Sequence, residues 1–330
     1  MASISTIVRA PTSRVAPASS LLLGAMLVVA CQDSPVAPSA APSVASASRE
    51  SRSDGTSNFT TIDIRGALST TAWGINPRGD IVGTYTDASG RSHGYLLSHG
   101  GDTTTIDFSA TAFNEARGIS PSGEIVGFYR EPSEPAVNSH GFLRTKKGDL
   151  VRIDDLPHTN TVAQRILPDG TIVGCRHDED QMSTMRGIVV STDGSITERS
   201  EFGSMHNGAT PDLTSIVGQY FNHAVGDRNE GFLIHDGVFT PLFVTVTGTT
   251  LTQAWDINAA GEIVGVYRVG TGTTAVFHGF VTTDGVTYVT FDVPVPGAKA
   301  TRLRGINSRG DIVGAYVSAD GKTHGFVATR

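Results

Sequence analysis

The sequence of 330 residues has few cysteines, no excess of positive charge and no long apolar run. It contains only two cysteines, which excludes a disulfide framework as the source of stability. Its formal net charge is −7, and this acidic balance argues against non-specific nucleic-acid binding, which needs clustered Lys and Arg. The apolar run of residues 21–30 would cover about 15 Å as a helix, half of a bilayer core of about 30 Å. That run is therefore too short to span a membrane.

Enzyme signatures are also missing. The chain has no Gly-x-Ser-x-Gly elbow, no P-loop, no His-Glu-x-x-His, no Cys-x-x-Cys and no repeated Asp-x-Asp-x-Asp calcium loop. We accordingly expect no cofactor and no metal. Glycine, in contrast, is abundant, with 38 residues, while charged residues make up only 17 % of the chain. This balance favours short strands and tight turns over helical bundles.

The N-terminus has the pattern of an export signal. Arg9 and Arg14 precede the apolar run, which ends in Val28-Val29-Ala30-Cys31 and resembles a bacterial lipobox. The resemblance implies a signal peptide over residues 1–30 and a lipid on Cys31, which holds a chain at a membrane without spanning it. An ordinary cleavable signal is the alternative. Gln32, rather than Asp, after the cysteine favours the outer membrane of the cell envelope by resemblance to bacterial sorting.

Residues 31–57 are rich in Ala, Ser and Pro and contain no aromatic residue. Such a composition cannot bury a core, so we predict a disordered tether there. From Phe59 onward one pattern recurs six times, with a period of 44 to 49 residues. Its clearest element is Ile-Val-Gly, which ends at Gly83, Gly127, Gly174, Gly218, Gly265 and Gly314. A second element, often His-Gly-Phe, follows it at the start of each repeat's third segment.

Each repeat contains four short β segments, here named a to d, and no amphipathic helix. In the first repeat they are residues 71–76, 80–86, 93–98 and 103–108. Four strands per 45 residues or so are typical of a propeller blade. The sixth repeat stops after segment c, and residues 59–64 match the missing segment d. We therefore predict an all-β fold, a six-bladed β-propeller of four-stranded antiparallel blades over residues 58–330, closed by the N-terminal strand.

The order Ile-Asn-x-x-Gly-x-Ile-Val-Gly, His-Gly-Phe-Leu and Thr-Ile-Asp resembles the bacterial extracellular HAF repeats. The resemblance covers all six repeats and implies a secreted β-propeller, but no catalytic residues. Repeats three and four depart from it, since Arg186 and Glu230 replace the repeated His and Arg176 replaces the strand-b Tyr. The repeated His, Tyr and Asp themselves are predicted to be structural, because one His per blade cannot converge on a metal ion.

One set of equivalent positions differs from repeat to repeat. Because the fold alone does not require these differences, the positions are better candidates for a functional site. The equivalent strand-a positions, which we predict to be ligand-binding, are Trp73, Arg117, Gln164, Asn207, Trp255 and Arg304. Trp and Arg near a central opening could stack a sugar and hold a carboxylate. The alternative is that the tryptophans pack between inner strands. Arg176 is a further candidate ligand-binding residue.

The b–c loop of repeat three supplies weak candidates for proton transfer. It contains His177, Asp178 and Glu179, on the face where the b–c and d–a loops should meet. Carboxylates beside His could serve as general acid and base, whereas a solvated loop is commonly charged. The other cysteine, Cys175, is expected to be a buried, inert thiol.

The sequence thus predicts an exported, lipid-anchored binding module for an extracellular ligand, either a polysaccharide or a protein, and no nucleic acid. Two alternatives stay open. One is a carbohydrate-active enzyme, a lyase or hydrolase on an acidic glycan; the other is a structural surface protein.

Overall fold

The computed structural model describes residues 4–8, 58–108, 113–135, 138–154, 160–178, 184–199 and 203–330. Most of the predicted signal peptide and all of the predicted tether, with Cys31, lie outside these residues, as does Glu179. The described chain forms six antiparallel blades in a ring, each with strand a on the inside and strand d on the outside. The predicted six-bladed propeller is therefore confirmed.

The blades follow the repeats closely. In the order a to d, blade 1 is Ser69–Ile75, Ile81–Thr86, Ser92–Leu97 and Thr103–Ile106. Blade 2 is Phe113–Ile119, Ile125–Arg130, His140–Arg144 and Leu150–Asp154. Blade 3 is Asn160–Ile166, Ile172–His177, Arg186–Val190 and Ile196–Glu198.

Blade 4 is Ser204–Ala209, Ser215–Asn222, Arg228–His235 and Val238–Leu242. Blade 5 is Thr249–Ile257, Ile263–Val269, Val276–Thr282 and Val289–Phe291. Blade 6 is Ala300–Ile306, Ile312–Val317, Thr323–Thr329 and Asn58–Ile62. A further strand, Ile4–Val8, lies parallel to the outer strand of blade 2. Two 3₁₀ turns occur in b–c loops, at His223–Val225 and Gly272–Thr274.

The ring is closed as the phase of the repeats predicts. Asn58–Ile62 pairs antiparallel with the last strand, from Asn58 opposite Thr329 to Ile62 opposite Gly325. Phe59 stacks on Phe326 with ring centroids 5.5 Å apart. Asp63 accepts a hydrogen bond from the ring of His324 at 2.8 Å. The first and last strands of the propeller therefore share one blade, and the outer edge of strand c in blade 6 is paired.

The Ile-Val-Gly repeat lies in strand b, where both faces are covered by neighbouring blades. Its valine is fully buried in every blade: Val82, Val126, Val173, Val217, Val264 and Val313 are all 0 % exposed. Its glycine makes room for strand a. A Cβ at Gly83 would lie 2.1 Å from the Thr71 carbonyl oxygen and 2.6 Å from the Tyr95 ring. Any side chain at this position would push strand a away from strand b.

The repeated His has the structural role that the sequence suggests. In four blades it lies directly opposite the strand-b Tyr and contacts the Tyr ring, as in the stacked pair Tyr85–His93 with centroids 4.9 Å apart. Its Nδ1 atom hydrogen-bonds the Asp of Thr-Ile-Asp on strand d, at 2.8 Å for His93 and Asp107. The equivalent pairs are His140–Asp154, His278–Asp292 and His324–Asp63. These pairs connect the three outer strands of each of these blades.

Blade 4 contains a buried histidine outside this pattern. His206 is 0 % exposed and occupies a strand-a position that is Ala or Leu in the other blades. Its ring packs against Gly187 of blade 3 and lies 5.8 Å from the Phe232 ring. Neither ring nitrogen has a hydrogen-bond partner among the described residues. Burial lowers the pKa of His206 from 6.5 to about 4, so the ring is neutral in the folded protein.

This burial predicts an acid-sensitive blade. The unfolded chain binds a proton at His206 near pH 6.5 and the folded chain only near pH 4, so folding stability falls as the pH drops through this window. Between pH 7 and pH 4.5 the loss should be about 2–3 kcal/mol. Urea unfolding of the parent and of His206→Leu, whose new side chain matches Leu303 of blade 6, should diverge by this amount. Parallel stability curves would contradict the prediction.

Candidate functional site

The six predicted ligand-binding positions share one backbone feature. In every blade the register between strands a and b shifts at this position, so that each of these residues is the extra residue of a β-bulge. A bulge bends its strand and re-aims the side chain. We refer to Trp73, Arg117, Gln164, Asn207, Trp255 and Arg304 as the axial ring. They do not form an open circle, because several of them meet at the propeller axis.

The centre of the axial ring is a cluster of stacked cations and indoles. Trp73 and Trp255 come from different blades, yet their ring centroids are 5.4 Å apart. The Arg304 guanidinium carbon lies 4.4 Å from the Trp73 centroid and 4.0 Å from the Trp255 centroid. Arg117 covers Trp73 at 3.7 Å. Both indoles are nearly buried, with 8 % and 7 % exposed. Each already has a guanidinium on its face.

The other two members of the ring are fully enclosed. Gln164 receives a 3.5 Å contact from Arg117 Nη1 and lies 3.2 Å from the Met205 sulfur. Asn207 donates to the Ala254 carbonyl of the next blade at 2.8 Å. These two side chains connect blades, whereas Trp73, Trp255, Arg117 and Arg304 form the part of the ring that meets at the axis.

A second layer lies two residues earlier on each inner strand, nearer the d–a loops. Because side chains two apart share a face of a strand, this layer lies next to the axial ring on the side of the d–a loops. Its members, called the mouth residues, are Thr71, Glu115, Val162, Met205, Gln253 and Arg302. All except Val162 are partly exposed. Glu115 forms an ion pair with Arg117 at 2.5 Å, and Gln253 accepts from the Trp255 indole at 3.3 Å.

On the other side of the ring the axis is closed by an ion pair. Arg165 Nε lies 3.1 Å from a carboxylate oxygen of Asp256, and both side chains are about nine-tenths buried. The terminal nitrogens of Arg165 donate to backbone carbonyls of four inner-strand residues, Trp73, Arg117, Gln164 and Arg304. Asp256 accepts from the backbone N–H groups of Ile257 and Ile306. We refer to Arg165–Asp256 as the axial ion pair.

The axial ion pair was not predicted from the sequence, although the signal is visible. The residue after each ring member is glycine in four blades, namely Gly74, Gly118, Gly208 and Gly305, and it is Arg165 and Asp256 in the other two. A Cβ at Gly74 would lie 2.7 Å from the Arg117 carbonyl oxygen. The inner strands therefore converge tightly here, and two complementary charges fill the space that remains. A cavity of about 130 Å³ lies beyond the pair, among the a–b turns.

Burial dominates the electrostatics of this region. It lowers the pKa of the Arg304 guanidinium, and the positive charges of Arg117 and Arg302 lower it further. Burial also lowers the pKa of Arg117, which Glu115 partly offsets. For Asp256, burial raises the pKa of the carboxyl, while Arg165 opposes that rise. These groups face one another in a confined space, where an uncompensated charge is costly.

The structure does not bring the remaining candidates into this cluster. Arg176 donates to Glu198 at 2.8 Å and to the Thr184 carbonyl at 3.2 Å, both in its own blade. His177 is buried, its Nδ1 lies 3.0 Å from the Asp178 carbonyl oxygen, and burial lowers its pKa. The backbone N–H of Asp178 donates to the Thr184 hydroxyl oxygen at 2.9 Å. Glu179 lies outside the described residues.

In blade 4 the residue that replaces the repeated His takes part in a charged network of its own. Glu230 accepts from the Tyr220 hydroxyl at 2.8 Å, from Asn222 at 3.0 Å and from Arg228 at 2.7 Å. The tyrosine is thus held by a carboxylate instead of an imidazole. This substitution keeps the contact between strands b and c and explains how blade 4 tolerates the departure from the repeat.

Three further observations bear on possible chemistry. Within the described ranges, no group of three His, Cys, Asp or Glu residues is placed to hold a metal ion. None of the described helices is long and apolar enough to cross a membrane. Cys175 is a free, buried thiol, and burial raises its pKa to about 12, so it is protonated at neutral pH.

Comparison with known proteins identifies the fold and no more. Neither protein families nor curated proteins gave a match in sequence. A gluconolactonase from Xanthomonas campestris is 13 % identical, with a TM-score of 0.50 over 80 % of this chain and 89 % of its own. A protein of unknown function from Dyadobacter fermentans is 11 % identical, with a TM-score of 0.50 over 82 % of this chain and 98 % of its own.

A third structure is the β-propeller domain of the Trilobed protease from Pyrococcus furiosus. It is 11 % identical, with a TM-score of 0.45 over 79 % of this chain and 94 % of its own. At such identities the likeness concerns the fold alone. The function must therefore be argued from this chain's own residues.

The axial ion pair predicts strong energetic coupling. Replacing either Arg165 or Asp256 by glycine leaves the other charge buried without its partner, which should lower the free energy of unfolding by about 3–5 kcal/mol. The double variant, with the glycine found in four other blades, should lose clearly less than the sum. Urea unfolding of the four proteins measures this coupling.

A matched comparison is the pair Arg330–Glu262, whose side chains are 46 % and 20 % exposed. Its coupling in the same experiment should stay below about 1 kcal/mol, because solvent screens it. Additive losses at Arg165 and Asp256 would show that the two charges do not depend on each other.

Proposed function

We propose that this chain is an exported binding module whose ligand, a polysaccharide, enters through the mouth residues and binds above the axial ring. The observation that carries the proposal is the convergence of Trp73, Trp255, Arg117 and Arg304 at one point of the axis. These residue types are not required by the blade, since other blades have Gln164 and Asn207 at the same position. Aromatic and guanidinium groups in a concave site are typical of carbohydrate and carboxylate recognition.

The closed axis supports a binding role. The axial ion pair and the four carbonyls around Arg165 fill the channel on one side of the ring. A ligand that enters from the d–a face therefore meets the axial ring first and the axial ion pair behind it. A site that is closed on one side suits retention of one end or one residue of an extended chain.

The alternative of an enzyme receives less support from the described geometry. The candidate His177 is buried and turned toward the Asp178 backbone in its own loop. A general base must be able to reach the proton that it removes. None of the described candidates for proton transfer lies in the stacked cluster at the axis. Binding is therefore the function that we propose. We also propose that the repeats belong with the extracellular HAF repeats that they resemble.

The first test is direct binding. The full chain should bind selected polysaccharides on a glycan array. Thr71→Trp, which places a bulky ring in the mouth, should weaken that binding at least tenfold without unfolding the blade. The control Thr104→Trp makes the same change on the exposed outer strand of blade 1 and should have no effect. A blank array would overturn the polysaccharide and favour a protein partner, to be sought by pull-down from the cell envelope.

We further propose that the chain is anchored in the bacterial cell envelope through a lipid on Cys31. The support is the lipobox-like sequence that ends at this cysteine. When the chain is expressed with its signal in a bacterium, labelled palmitate should be incorporated into the parent and into Cys175→Ser. The Cys31→Ser variant should carry no label and should leave the membrane fraction. Equal labelling of all three proteins, or of none, would contradict the anchor.

A further inference from the structure

From the charges at the axis we infer that the ligand carries a carboxylate group and that Arg304 receives it. This inference rests on the proposed function, because it specifies the ligand of the same site. It names an acidic polysaccharide, such as one built from uronic acids, in place of a neutral one. Three properties of Arg304 support it: the local excess of positive charge, the unused donors of its guanidinium, and its contrast with Arg165.

The axial ring and the mouth residues together hold more positive than negative charge. They contain three arginines, Arg117, Arg302 and Arg304, but only one carboxylate, Glu115. Glu115 is already paired with Arg117 at 2.5 Å. Arg302 lies over the Phe277 ring at 4.2 Å and forms no ion pair with a described carboxylate. Two positive charges thus face one opening in a protein whose formal net charge is −7.

Two hydrogen-bond donors of Arg304 have no acceptor in the described part of the chain. Its guanidinium contacts both indoles, whose centroids are only 5.4 Å apart, so the two rings lie on neighbouring sides of the group and not on its two opposite faces. The N–H groups lie in the plane of the guanidinium, and neither Nε nor Nη1 finds an acceptor among the described residues. The indole N–H of Trp73 is likewise buried without an acceptor. A planar guanidinium with free in-plane donors matches a carboxylate, which accepts two parallel hydrogen bonds.

Arg165 shows that the fold can satisfy a buried arginine when no ligand is needed. It lies beside Arg304 on the same axis, yet it has a carboxylate partner in Asp256 and donates to four backbone carbonyls. Among the described residues Arg304 has neither kind of partner. Since burying an unpaired charge is destabilising, the unsatisfied arginine is best explained by an acceptor that arrives from outside.

The chain provides its own reporter for this site. It contains only two tryptophans, and both contact Arg304. A ligand that reaches Arg304 must therefore alter the intrinsic tryptophan emission, and no other part of the protein contributes to that signal. Binding elsewhere on the surface would leave the emission unchanged.

The test titrates the full chain with oligogalacturonate and with its methyl ester, which has the same sugar chain without the charges, and with citrate as a simple carboxylate. We expect the acid to change the tryptophan emission and to bind at least tenfold more tightly than the ester, with binding weakened by added salt. Arg304→Gln should lose this preference and Arg304→Lys should keep part of it. Arg65→Gln, which removes an exposed arginine from a d–a loop, should match the parent.

The outcomes separate the two proposals. Equal binding of acid and ester, with a change in emission, would overturn the carboxylate and leave the polysaccharide-binding site standing. Binding to the glycan array without any change in emission would leave the binding module standing and overturn the axial location. If neither the acid nor citrate alters the emission of the parent, the inference about Arg304 is wrong. The parent's preference for acid over ester decides the matter even if the Arg304 variants fold poorly.

Discussion

The β-bulge in each inner strand is the constraint on which the rest of the structure depends. It occurs at the same position in all six blades, opposite the glycine of Ile-Val-Gly, where a side chain would collide with a strand-a carbonyl. The bulge brings two successive residues toward the axis instead of one. The first forms the axial ring and the second closes the channel beneath it. A repeat that satisfies the packing of the blades therefore also brings Trp73, Trp255, Arg117 and Arg304 together at the axis.

Positions that repeat from blade to blade serve packing, whereas the bulge positions vary. Valine and glycine in strand b pack neighbouring sheets together in all six blades, and the Tyr–His–Asp contacts connect the outer strands within four of them. The bulge positions carry Trp, Arg, Gln or Asn without disturbing that packing. Chemical specificity can thus change at the axis while the rim stays the same.

Much of the fold could be predicted because the sequence repeats at a regular spacing. The match between residues 59–64 and Thr103–Phe108 predicted the closure that the pairing of Ile62 with Gly325 confirms. The axial ring was found because Trp73 and Trp255 break the repeat. Arg165 and Asp256 were missed, since neither is unusual by itself and their pairing depends on how closely Gly74 and Gly118 let the strands approach. The partner of the repeated His was also hidden, because a separation of 14 residues becomes a contact only when strands c and d pair.

The path of the closing strand also determines how the propeller is held. In each blade strand d begins among the a–b and c–d turns and ends at the d–a face, so Asn58 and its partner Thr329 lie at the end opposite the mouth. The preceding part of the chain enters the ring there. Any pull on the chain before Asn58 would therefore act first on the strand that closes the ring, at the end remote from the axial ring.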